Sequence, residues 1–88
     1  MIEVLKFSAT WCGPCRVLAS NLAGVSGITN IDIDKDMELA KEHSVRSVPS
    51  MIFKVDGKEV HRKVGVISKD QYDSLLIELG NDLKWSKQ

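Results

Sequence analysis

The sequence predicts an α/β domain, one mixed four-stranded sheet flanked by three helices in the order β-α-β-α-β-β-α. Three observations carry that prediction. Strand-like and helix-like segments alternate through the first half of the chain, which calls for parallel strands joined by helical crossovers. Two β-rich runs then flank Asp56-Gly57, a dipeptide suited to the positive φ values of a two-residue hairpin turn. Ser68-Lys69-Asp70-Gln71 has the spacing of a helix capping box.

The elements follow in order. Ile2 to Phe7 is an apolar-rich strand that ends in Ser8-Ala9-Thr10. The stretch from about Gly13 to Ala23, closed by Gly24, reads as a helix. Ile31 and Ile33 recur at period two in the next strand, and Asp34 or Asp36 caps a helix through Met37, Leu39 and Ala40 to about His43. After a loop ending at Pro49, Ser50 to Val55 and Lys58 to Val64 form an antiparallel pair. In the last helix Tyr72, Leu75, Leu76 and Leu79 repeat at i, i+3, i+4 and i+7, and Gly80 suits the left-handed position that ends it. One domain therefore spans residues 1–88, with its core from about 2 to 79 and a polar tail over 80–88.

Composition bounds the function. With 88 residues, 43% of them hydrophobic, the chain holds one small core and buries roughly 60–65% of its unfolded surface. Twelve Lys+Arg balance twelve Asp+Glu, so there is no net positive field to gather nucleic acid or an anionic membrane. No apolar run approaches the roughly 20 residues that span a bilayer. The first residues lack the basic region, apolar stretch and cleavage site of a secretory signal, which points to a cytoplasmic location. Repeats and low-complexity tracts are absent from the sequence.

The chemistry lies in Trp11-Cys12-Gly13-Pro14-Cys15, where the first strand gives way to the first helix. Two cysteines on a helical first turn can close a disulfide, and the helix N-terminus offers free N–H groups and a positive dipole end. Both favour thiolate at Cys12. A thiolate there can attack a substrate disulfide, and Cys15 can resolve the mixed disulfide by attacking Cys12 in turn. Gly13 permits close approach, and Pro14 suits an early helical position. Two other readings stand beside this one. Half a zinc site is one, but zinc wants four ligands, there is no second cysteine pair, and His43 and His61 are too far apart to supply the rest. An inert buried pair is the other.

Trp11-Cys12-Gly13-Pro14-Cys15-Arg16, then Val45-Arg46-Ser47-Val48-Pro49-Ser50, then Lys63-Val64-Gly65 before Ser68-Lys69, resembles the thioredoxin family at matching spacings from about Ile2 to Leu79. The resemblance is to the minimal four-stranded, three-helix core, without the strand and helix that typical members carry ahead of it. It implies that Cys12 is the attacking thiol and that Cys15, more buried, is the resolving one. It implies a cis bond at Val48-Pro49 facing the disulfide, with the Val48 backbone free to pair with an extended substrate; the plainer reading of Pro49 is a strand-start proline. Trp11, Gly13, Pro14, Val48, Pro49 and Gly65 then form a largely apolar docking surface. The implied partners are disulfide-containing protein substrates and a flavin-dependent, NADPH-driven thioredoxin reductase. Neither cofactor nor metal is needed beyond the Cys12–Cys15 pair, and a monomer is the default.

Two positions depart from the family pattern. Members usually hold a buried aspartate in the first of these strands and a lysine beside it, where this chain has Lys6 and Asn30. Lys6 shares strand parity with Ile2 and Val4, which aims it at a covered face where a lone ammonium is costly. Either Lys6 modulates the Cys15 thiol, by its charge or as a base, or its stem carries the ammonium out to water. Arg16 either adds positive potential near Cys12 or is a solvated helix residue. His43 is expected on an exposed helix end and His61 on an edge strand, both without partners or catalytic role. Trp85 follows Gly80 in the tail, to pack back or to make a contact.

The leading function is thus a thiol–disulfide oxidoreductase that reduces protein disulfides. A glutathione-coupled, glutaredoxin-like protein is the nearest alternative. Against it, Gly13-Pro14 is not the usual Pro-Tyr, and Val64-Gly65-Val66 lacks the paired glycines and acidic residue of a glutathione site. An oxidase or isomerase of an oxidising compartment comes third. A binding subunit that acts independently of its thiols is the alternative from a different class.

Overall fold

The computed structural model describes residues 2–86, with side chains up to residue 80. Strand β1 (Ile2–Ser8), helix α1 (Gly13–Asn21), β2 (Ile28–Asp32), α2 (Met37–Glu42), β3 (Ser50–Val55), β4 (Lys58–Val64) and α3 (Lys69–Ser86) follow one another in the predicted order. The strands form one sheet in the order β2-β1-β3-β4. β1 runs parallel to β2 and antiparallel to β3, and β3 is antiparallel to β4.

This order places β1 and β3 at the centre, and their residues show it. Side chains alternate between the faces of a strand, so a central strand covered on both faces is apolar without a break. Val4, Met51 and Phe53 face one side, packed with Leu18 and Leu22 near α1 and Tyr72 and Leu79 of α3. Leu5, Phe7 and Ile52 face the other, with Ile31 of β2, against Ala40 of α2. The three-residue step from Cys15 to Leu18 keeps both side chains on the buried side of α1. The Cys12–Cys15 turn is thereby clamped to the sheet.

Local signals produce the expected geometry at the hairpin and at the start of α3. Asp56 and Gly57 have φ of 52° and 82°, and Val55 lies opposite Lys58 across the turn. The Ser68 hydroxyl accepts the N–H of Gln71 at 3.1 Å, while the Gln71 side-chain oxygen accepts the N–H of Ser68 at 2.8 Å. The capping box is closed from both sides.

Two helix ends differ from expectation. α1 stops at Asn21, because Leu22 leaves helical geometry at φ −105° and ψ 15° and the N–H of Ala23 tightens onto Ser20. Gly24 is left-handed at φ 82°, but it belongs to the turn that follows. The Asn21 amide then donates to the Ile67 carbonyl at 3.1 Å, anchoring this end of α1 to the loop before α3. Gly80 does not end α3: the helix continues to Ser86, so residues 80–86 are helical and not an irregular tail. An internal glycine costs a helix only about 1 kcal/mol, which the surrounding turns offset. The side chain of Trp85 lies outside the described residues. Among the described residues, no helix is long and apolar enough to cross a membrane.

Candidate active site

The chain leaves β1 at Ser8 and turns through Ala9-Thr10-Trp11, where the Cys12 N–H donates to the Ala9 carbonyl at 3.2 Å. Cys12 is the N-cap of α1, with extended φ and ψ of −92° and 111°. Its sulfur accepts the backbone N–H of Cys15 at 3.2 Å, filling the role that a Ser or Asp oxygen plays in an ordinary cap. Negative charge on that sulfur is stabilised by the same N–H and by the helix dipole. Cys12 and Cys15 are joined in a disulfide, with Cα atoms 5.3 Å apart.

The two cysteines are almost equally covered, at 4% and 5% exposure. The expectation that Cys15 is the more buried does not hold in this disulfide form, because the linked sulfurs share one apolar nook with Ala9, Ile33 and Val48. Their surroundings differ instead. Cys12 Sγ lies 3.7 Å from the Val48 carbonyl and takes the Cys15 N–H, whereas Cys15 opens on a separate cleft shared with Ser8, Arg16 and Asp32.

The bond between Val48 and Pro49 is cis. Pro49 is buried and Val48 half-buried. The Ser50 hydroxyl donates to the Ser47 carbonyl at 2.7 Å, and the Gly65 N–H donates to the Pro49 carbonyl at 2.9 Å. These two bonds seat the proline segment and bring Gly65 beside it. Gly65 has φ of 97°, a conformation that a side chain would strain. Trp11 is 64% exposed, and with Ile33, Val45 and Val48 it walls an apolar groove of about 310 Å3. Gly13 and Pro14 are exposed on the rim. Of the six residues expected to form a docking surface, Trp11 and Val48 line this groove, and Pro49 and Gly65 are joined by the Gly65 N–H.

A residue that sequence reasoning took only as a possible helix cap also belongs here. Asp34 accepts the Trp11 indole N–H at 2.8 Å, while Asp36 caps α2 through the N–H of Leu39. No local pattern links residues 23 positions apart; the bond follows from parallel β1 and β2 ending side by side, with Ser8 opposite Asp32.

Lys6 is buried at 8% exposure, on the face that parity assigned to it. It lies between Asn30 and Met51, and burial pushes its ammonium below the ordinary value of 10.5. It does not line the cleft that reaches Cys15. Arg16 does, and it donates to the Thr10 carbonyl at 3.1 Å.

The histidines have partners, contrary to expectation. His43 is half-buried at the end of α2, its Nδ1 3.0 Å from the Leu39 carbonyl, its Nε2 3.3 Å from Lys54 Nζ, and its ring tilted against Phe7. His61, on the edge strand β4, packs on Phe53. Neither touches the disulfide nook. A second groove of about 310 Å3, between β4 and α3, is lined by His61, Lys63, Asp70 and Glu78 and contains neither cysteine. Depth alone does not mark the site; the sulfur chemistry does. Among the described residues, no group of three or more His, Cys, Asp and Glu is placed to hold a metal ion.

Comparison with known proteins agrees with this geometry. Residues 2–78 match the thioredoxin family model. The chain is 38% identical to a thioredoxin of Chlamydia trachomatis over 81 residues, covering 85% of this chain and 79% of that one. It is 34% identical to a thioredoxin of Mycoplasmoides gallisepticum over 79 residues, covering 83% and 79%. The crystal structure of a Fasciola hepatica thioredoxin superposes with a TM-score of 0.77 at 31% identity, over 85% of this chain and 78% of that one.

Proposed function

The chain belongs to the thioredoxin family and is a thiol–disulfide oxidoreductase; on that premise we propose that it reduces protein disulfides, with Cys12 as the attacking sulfur and Cys15 as the resolving one. The observation that carries the assignment is the position of Cys12: its sulfur caps α1 and accepts the Cys15 N–H. A thiolate is stabilised there before substrate arrives.

In the first step the Cys12 thiolate attacks one sulfur of a substrate disulfide. A Cys12–substrate mixed disulfide forms, and the other substrate sulfur leaves as thiolate. Cys15 then loses its proton and attacks Cys12 Sγ, which closes the internal disulfide and expels the second substrate sulfur. Two electrons pass to the substrate, and both carriers are protein sulfurs.

The groove of Trp11, Val45 and Val48 supports docking of an extended apolar segment, with the carbonyl of Val48 available to pair with its backbone. A flavoprotein reductase drawing on NADPH returns the disulfide to the dithiol. A monomer in the cytoplasm is the state in which we expect it to act. The matches to thioredoxins favour this reading over glutathione coupling.

The test is reduction of a protein disulfide by the reduced chain and by its Cys12→Ser and Cys15→Ser variants. Cys15→Ser is expected to accumulate a mixed disulfide through Cys12, and Cys12→Ser to form none. Reduction that persists without both sulfurs, or an equal loss with no trapped species, contradicts the assignment.

A further inference from the structure

The resolving step assigned above sets a demand that the cysteines do not meet. A Cys15 thiol must give up its proton before its sulfur can attack, and at 5% exposure it has little direct contact with bulk water. A cleft of about 190 Å3 reaches it, lined also by Ser8, Thr10, Arg16 and Asp32. Its volume suits several water molecules, and Ser8, Thr10, Arg16 and Asp32 offer them polar partners. Asp32 supplies the one carboxylate of that lining.

Strand geometry explains why a carboxylate is there. Phe7 and Ile31 pack on the α2 side of the sheet, so the next residues, Ser8 and Asp32, turn to the side that carries α1. They are register partners at the ends of β1 and β2. One oxygen of Asp32 accepts the Asp34 N–H at 2.9 Å, which fixes the side chain and leaves the other oxygen uncommitted by that bond. Asp32 is half exposed, so a proton it receives can pass on to solvent.

We propose that Asp32 relays the Cys15 proton: during resolution it draws the thiol proton through water in this cleft, and during reduction of the internal disulfide it returns one to the departing Cys15 sulfur. The electron pair on Cys15 then forms the bond to Cys12 Sγ as the Cys12–substrate bond breaks, so protons and electrons balance. The charged groups on the elements around Cys15 are Arg16 on α1, Glu3 and Lys6 on β1, Asp32 on β2 and Arg46 in the loop before Pro49; Glu3 lines a different cleft, with Leu5 and Lys54. Arg16 and Arg46 are permanent cations, Lys6 stands outside the cleft, and Asp32 is the remaining base. The proposal rests on Cys15 being the resolving thiol.

Stopped-flow mixing of the reduced chain with the chromogenic disulfide 5,5′-dithiobis(2-nitrobenzoate) reads the two steps separately. The first thiolate released reports attack by Cys12, and the second, independent of reagent concentration, reports resolution by Cys15. Asp32→Asn keeps an oxygen for the Asp34 N–H and so preserves the turn. In this variant the first phase is expected to be unchanged. The second is expected to slow by about 10²-fold near neutral pH, the low end of what a positioned base contributes, and to recover as pH rises. Asp32→Glu is expected to restore part of the rate. An unchanged second phase and pH profile in Asp32→Asn overturns the relay, and so does equal slowing of both phases. Cys15→Ser is the separate control: a second phase that persists in it removes Cys15 as the resolving thiol, and the relay with it.

Discussion

Freeing the Trp11 indole by Asp34→Ala isolates the contribution of one bond to substrate docking. The indole is 64% exposed and its N–H is held by the Asp34 carboxylate at 2.8 Å. A hydrogen bond to a charged acceptor is worth up to about 3 kcal/mol, but here water competes at both ends, which brings the net to about 1 kcal/mol. That energy orients a wall of the docking groove and touches no sulfur. Its loss is therefore expected as roughly a fivefold fall in kcat/KM toward a protein disulfide, at about 1.4 kcal/mol per factor of ten. Attack on a small aromatic disulfide, which does not fill the groove, is expected to stay within twofold. Asp34→Asn keeps an acceptor without the charge and is expected to fall between the two. The assay is steady-state reduction of both substrates, with fluorescence anisotropy of Trp11 to confirm that the indole has been released. A mobile indole with unchanged kcat/KM toward the protein substrate refutes the reasoning, and so does an equal loss for both substrates.

Three further outcomes follow from the packing. Lys6→Met is expected to raise stability at pH 7, measured by urea unfolding. Burial lowers the folded-state pKa of Lys6 below 10.5, so the unfolded chain binds that proton more tightly and stability rises with pH across the window from the folded-state pKa to 10.5. The advantage of the variant is thus full below that window and shrinks through it; a gap independent of pH contradicts a buried ammonium. Ser68→Ala removes one half of the capping box of α3 and is expected to cost about 1 kcal/mol, with the disulfide chemistry unaffected. Leu18→Ala, at a site with no exposure beneath the catalytic turn, is expected to cost about 3–5 kcal/mol in the same assay, and a loss under 1 kcal/mol is evidence against the packing of α1 described here.

Short-range chemistry made much of the fold readable from sequence. Asp56-Gly57 and Ser68-Lys69-Asp70-Gln71 each act through their own backbone atoms, so tertiary context has little to override. The Cys12–Cys15 pair is legible for the same reason: cap, sulfur and resolving partner lie within one helical turn. Gly80 misled because a left-handed stop and a tolerated internal glycine look alike from one side. His43 reads as unpartnered because Lys54 and Phe7 come from β3 and β1, distant in sequence from the end of α2. Asp34 reads as a helix cap, and Asp32 as a polar residue between Ile31 and Ile33 of a strand; only the parallel pairing of β1 with β2 brings one to Trp11 and the other to the Cys15 cleft. Sites assembled across a sheet leave no spacing to count.

The account turns on which sulfur is poised to attack. After reduction, a substoichiometric amount of iodoacetamide at pH 7, followed by mass mapping of the alkylated peptide, reads that directly. The helix-capping position of Cys12 predicts that its sulfur takes nearly all of the label. Predominant labelling of Cys15, or equal labelling of the two, contradicts it.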